Sequence, residues 1–173
     1  LAMTIFGTIG LFVKFIELPS TVIALSRGAL GTLFLLLVLK LLKRRINTAS
    51  VKSNFKHLVI AGVALGLNWI FLFEAYRLTS VATATLAYYM APIILILLSP
   101  ILLHERIPLG KWICVICALF GMSLISGVWE SSENVALDGI TMGLIAACFY
   151  ASVVINNKFL KGLDPYDSSI VQL

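Results

Sequence analysis

Apolar residues occupy this chain in long blocks, each closed off by a short polar connection. A helix needs about 20 mostly apolar residues, at about 1.5 Å of rise each, to cross roughly 30 Å of hydrocarbon. Several blocks have that length. Leu1 to Phe15 is short, begins without methionine, and reads as a helix whose start is missing. Further spans are expected at 21–42, 57–78, 81–103, 108–128 and 137–159. After Asp164-Pro165 an apolar pattern resumes at Ile170, as the start of a seventh span. The blocks do not alternate with a period of two, which excludes the short strands of a membrane barrel. Helices are the expected element, because lipid offers backbone groups no partner. The predicted class is an all-α transmembrane helix bundle.

Composition agrees. Of 173 residues, 60% are hydrophobic and 12% charged, whereas a soluble domain carries roughly 25% charged residues. Too few polar side chains remain to clothe a water-facing surface.

Charge then gives the bundle a direction. The net charge is +5, and ten of the thirteen Lys and Arg residues fall in alternate connections. These are 40–56, 104–111 and 158–164. The stretch 129–138 between them holds three acids and no Lys or Arg. Basic loops stay cytoplasmic, so those three connections are predicted inside and loop 129–138 outside. This pattern also turns the net charge from a nucleic-acid signal into a topology signal, with contact to anionic membrane lipid at most. No nucleic-acid partner is predicted.

The end of the first span and the end of the sixth look alike. Lys14-Phe15 precedes Leu18-Pro19, and Lys158-Phe159 precedes Leu163-Asp164-Pro165, about 145 residues later. Five spans separate the two points. An odd number places the second copy upside down, as in the inverted repeats of secondary transporters.

The stretch Phe73 to Ser126 carries a further signal. Tyr76 to Ser80 is an aromatic-rich turn, and Ala82 to Pro92 a small-residue helix with a mid-helix proline. His104-Glu105-Arg106 follows, then a helix with Gly121. Arg27 opens the second span in ALSRGALGTLFLLL, and Leu160 to Pro165 leads into another helix. The pattern resembles the EamA-type repeat of the drug/metabolite transporter superfamily, over essentially the whole chain. The resemblance implies ten spans, both termini cytoplasmic, and two inverted five-helix repeats. Residues 1–128 would form the first repeat and 137–173 the opening of the second, whose remainder is missing. It also implies a substrate class of amino acids, related metabolites or drugs.

Polar groups within apolar spans are costly, so each is a candidate site residue with a structural alternative. Arg27 either holds an anionic substrate, reaches for the interface, or pairs with Glu74. Glu74 and Arg77, three apart, either form an ion pair or leave Glu74 as a proton-coupling carboxylate. Asn68, near the middle of its span, needs a partner across helices or on a substrate. Trp69 and Tyr76 share a face and are expected to pack. Thr85, Tyr88, Pro92 and Ser99 form one polar stripe. Pro92 removes a backbone hydrogen bond and favours a kink. Tyr88, Tyr89 and Tyr150 offer hydroxyls and ring faces, the latter to a cation among others. Asn156 and Asn157 read as caps or gate contacts, and Glu105 as structural.

Cys114-x-x-Cys117 lies inside an apolar helix with no second pair or histidine, so no metal is expected; with Cys148 these are read as packing residues. No phosphate-binding glycine loop, nucleophile elbow or metalloprotease motif occurs. No cofactor is predicted and no enzyme activity. The expected function is a secondary transporter of small metabolites in the plasma or inner membrane, an exporter working by alternating access. Spans one, three, four and six would line its cavity. Proton coupling, substrate identity and oligomeric state stay open. The rivals are a non-transporting scaffold and, behind it, a membrane-embedded enzyme.

Overall fold

The computed structural model describes residues 12–13, 16, 18–44, 46–103, 108–125 and 137–173. Those residues form helices and no strand. Of the first predicted span only Phe12 and Val13 fall within them. Connections 104–107 and 126–136, with Glu105 and most of loop 129–138, lie outside.

Helix α1 runs Ser20–Leu41, directly after Pro19, whose fixed φ suits a helix start. It closes in a Schellman motif. The Arg44 N–H bonds the Leu39 carbonyl at 3.0 Å, and the Lys43 N–H bonds that of Lys40 at 3.2 Å. Lys43 takes the left-handed φ of 52° that this motif requires. A short helix that the apolar pattern did not foreshadow, α2, occupies Thr48–Ser53 in the basic connection. Asn47 caps it, accepting from the Ser50 N–H at 3.3 Å. Helix α3, Phe55–Leu78, is the centre of the bundle.

The span expected at 81–103 is divided. α4 covers Val81–Tyr88, capped by Ser80 through the Thr83 N–H, and α5 covers Ala91–Leu103. The division falls at Tyr89–Met90, because Pro92 has no N–H to give the Tyr88 carbonyl. Helix α6 is Leu109–Ile125 and α7 is Leu137–Lys158. Helix α8, Pro165–Gln172, starts where Asp164 accepts from the Tyr166 N–H at 3.0 Å.

Four of these stretches are long and apolar enough to cross a membrane: Ser20–Leu41, Phe55–Leu78, Val81–Pro100 and Leu137–Lys158. Their outward faces present bare Leu25, Leu30, Leu33 and Phe34, and α6 exposes nearly its whole length. Such a surface suits hydrocarbon, not water. Cys114, Cys117 and Cys148 lie on it. They do not pack between helices as expected, because each sits on the side of its helix turned away from the bundle.

The interior is the contact of α3 with α7, to which α4, α5 and α1 add. On α3 the buried positions Leu58, Ala61, Ala64, Asn68, Leu72 and Ala75 recur every three or four residues, with Phe73 and Tyr76 widening the stripe at its end. The buried positions of α7 are Gly139, Gly143, Ala146, Ala147, Ala151 and Val153, mostly small enough for neighbouring backbones to approach closely. A Cβ at Gly139 would lie 2.6 Å from Thr79, and one at Gly143 2.8 Å from Ala87. α8 seats its last residues in a groove between α1 and α3, with Gln172 against Gly62 and Leu173 against Gly28 and Gly31.

Candidate substrate site

The helical stripe on α3 that builds the interior is apolar except at Asn68, which has no exposure. Its amide nitrogen donates to the Ala146 carbonyl on α7 at 2.7 Å. Its Oδ1 is equally buried and has no partner at good hydrogen-bond geometry, the Tyr88 hydroxyl being the polar group set beside this side chain. An unmatched buried acceptor costs about 1–3 kcal/mol, so the fold holds this group at some expense. The buried alanines of α7 leave its backbone open at this level, so that the amide reaches the Ala146 carbonyl directly.

One tyrosine reaches the amide and a second packs behind it. Tyr88, at the end of α4, lies beside Asn68. Its ring meets that of Tyr150 edge-on at 5.6 Å, joining α4 to α7. Such pairs favour this geometry, because the positive ring edge meets the negative face. The break after Tyr88 sets that ring at the end of a helix rather than within one.

Arg27 enters from α1. Its guanidinium lies over the Trp69 ring, 4.6 Å from the centroid, and within electrostatic range of Tyr76 and Tyr88. Of the roles open to it from sequence, the structure adds a fourth, a cation–π contact with the residue next to Asn68. Tyr76 packs near Phe73 and accepts from the Thr85 hydroxyl at 3.4 Å.

The remaining candidates stand apart. Glu74 is six residues beyond Asn68, about 9 Å along the axis. There it accepts from the Ser20 hydroxyl at 2.6 Å and from Arg77 at 3.4 Å, the pair expected from their spacing. Tyr89 is 57% exposed, on the outward side of the break, and Pro92 is exposed beside it. Asn68, Tyr88 and Tyr150 are thus brought together, with Arg27 and Trp69 adjoining and the exposed Tyr89 ring tilted against that of Tyr88 at 6.4 Å, while Pro92 and Glu74 lie outside that group. Trp69 is the member that sequence reasoning placed only as packing. Its position directly after Asn68 in the sequence was the available signal.

A model of the EamA-like transporter family matches residues 1–127. The chain belongs to that family. Family membership and its apolar helices make it a multi-pass membrane protein of the transporter class. It is 30% identical over 174 residues to the uncharacterized transporter YxxF of Bacillus subtilis, covering 99% of this chain and 56% of the relative. An uncharacterized transporter of Helicobacter pylori is 34% identical over 85% of this chain and 48% of its own length. The pseudopaline exporter CntI of Pseudomonas aeruginosa is 30% identical over 78% of this chain and 45% of its own length. The EamA-like chain therefore spans about half the length of the curated relatives it matches. No solved structure matches it.

Proposed function

We propose that this EamA-like chain contributes the first repeat, 1–128, and the opening of the second, 137–173, to a secondary transporter that exports small metabolites. Amino acids, related compounds or drugs are the substrate class. The basic connections face the cytoplasm in this reading, and substrate reaches the site by alternating access in the cell membrane.

The observation that carries the proposal is the bare Oδ1 of Asn68, buried at mid-span between α3 and α7. Inverted-repeat transporters hold their sites near the midplane, where the halves meet. Asn68 sits where the two proposed repeats touch. Its oxygen offers an acceptor, and Tyr88, Tyr150 and Trp69 offer ring faces. Arg27 adds positive charge at the rim. The likeness to CntI, an exporter, supports the outward direction.

The test is counterflow of a labelled amino-acid and metabolite panel into liposomes holding the full-length protein. Uptake of one or more solutes is expected, and Asn68→Ala should reduce it about tenfold, the effect of losing one buried polar contact. Tyr88→Phe keeps the ring and loses the hydroxyl, and should reduce it less. No flux for any solute, with both variants behaving like the parent protein, would overturn the reading.

A further inference from the structure

The interface between the proposed repeats changes character along its length. At the end near α4's start it is small-residue packing, Gly139 on Thr79 and Gly143 on Ala84 and Ala87. At mid-span it holds Asn68. Between Asn68 and the basic end lies a dry layer in which Ala61 and Ala64 meet Val153, flanked by Leu65 and Phe149. At the basic end the contact becomes polar and directional.

Asn54 is the centre of that polar contact. It is 6% exposed and lies in the turn between α2 and α3. Its amide nitrogen donates to the Lys161 carbonyl at 3.0 Å, and its carbonyl accepts from the Lys161 N–H at 3.2 Å. One side chain thus satisfies both backbone groups of a residue in the α7–α8 connection. Around it, Arg44 pairs with Asp164 at 3.3 Å and lies over the Tyr166 ring. The Asn47 N–H donates to the Asp167 carboxylate at 3.1 Å, and Asp167 is 5% exposed. His57 meets Asn156 at 3.3 Å and stacks on Phe159. Every one of these contacts joins residues 44–57 to residues 156–167.

We propose that Asn54, Arg44 and Asn47 form a polar latch on Lys161, Asp164 and Asp167 that closes the basic end beneath Asn68, and whose release opens Asn68 to that side. The proposal rests on the alternating-access reading above. Its physical basis is the kind of contact used. Water replaces each of these hydrogen bonds when the end opens, so the net difference between closed and open is small. Two states separated by a small difference can exchange, and a single contact can shift their ratio. The glycine and alanine packing at the other end has no such substitute partner. The dry Ala61, Ala64 and Val153 layer is then the plug that the latch holds shut.

The test reads access rather than flux. In full-length protein stripped of native cysteines, Ala64→Cys places a thiol in the plug, where the alanine is 7% exposed. Membrane vesicles of both orientations are treated with an impermeant maleimide. Slow labelling is expected with the latch intact. Asn54→Ala should raise the rate from the basic side about fivefold, the loss of roughly one net hydrogen bond. Asn54→Asp keeps the acceptor and loses the donor, and should give a smaller rise. Should Asn54→Ala fail to reach the membrane, Asp164→Asn serves, since asparagine still caps α8 but no longer pairs with Arg44. Unchanged labelling in both Asn54→Asp and Asp164→Asn overturns the latch. So does a rise equal from both sides, which marks a loosened fold. Labelling that rises from the basic side in a protein showing no flux supports the latch and counts against the transporter reading; flux with unchanged labelling does the reverse.

Discussion

At Asn68 one amide is satisfied on its nitrogen and bare on its oxygen, within a helix otherwise chosen for apolar contact. Leucine has the same branched heavy-atom skeleton, in bulkier methyls, and no acceptor to leave unpaired. Asn68→Leu loses one hydrogen bond and relieves one unmatched group, terms of about 1 and about 1–3 kcal/mol. The purified protein should therefore melt no lower than the parent, while its counterflow falls about tenfold or more. A melting temperature that drops together with flux would instead mark Asn68 as a stabilising contact alone. Gly139 predicts the opposite pattern. A methyl there would sit 2.6 Å from Thr79, and such overpacking costs about 1–3 kcal/mol. Gly139→Ala should lower the melting temperature measured in detergent. Asn68 was legible in the sequence, because a lone amide in an apolar run demands explanation. The partner of Arg27 was not. Glu74 was the one side chain the sequence offered it, and the Trp69 ring emerged only with the helices in place, because hydropathy does not say which faces meet.

Among the elements, α7 and α1 follow the apolar pattern to within a residue or two, since each block is bounded by charge or proline. The divided span is where pattern and backbone part. Pro92 foretold a kink, yet the helix breaks before it, at Tyr89–Met90, because the missing bond belongs to the carbonyl four residues earlier. That break ends α4 at Tyr88 and so aims the ring at Tyr150. Pro92→Ala restores the N–H and should join α4 to α5. The expected result is a higher melting temperature, by up to about 3 kcal/mol of stability, with several-fold slower counterflow as Tyr88 turns away. A variant with full flux would show that the break is not needed. α2 escaped the apolar pattern altogether, since Thr48–Ser53 is too short and too polar to register there.

For the whole molecule, alternate basic connections gave a direction before any helix was placed. The connections 42–54 and 159–164 indeed lie together at one end, tied by Asn54 and Arg44. Which side of the membrane that end faces has its own measurement. Ser131→Cys in full-length protein should react with an impermeant thiol reagent added outside intact cells; reaction only after the inner face is exposed would invert the proposed orientation. The pairing of α3 with α7, by contrast, was not legible. Small residues on α7 admit a close neighbour, but glycine and alanine accept any helix that presents a flat enough face.

The break at Tyr89–Met90 also bears on how the protein is made. α4 has 8 residues and α5 has 13, so at 1.5 Å each they measure about 12 and about 20 Å, and neither alone can bridge roughly 30 Å of hydrocarbon. Together, Val81–Pro100 has a mean hydropathy of 2.0. The cellular insertion machinery, which weighs a nascent segment by its summed apolarity, receives one cargo and not two. The division is thus silent to insertion, which reads summed apolarity, although Pro92 writes it into the backbone of the segment itself.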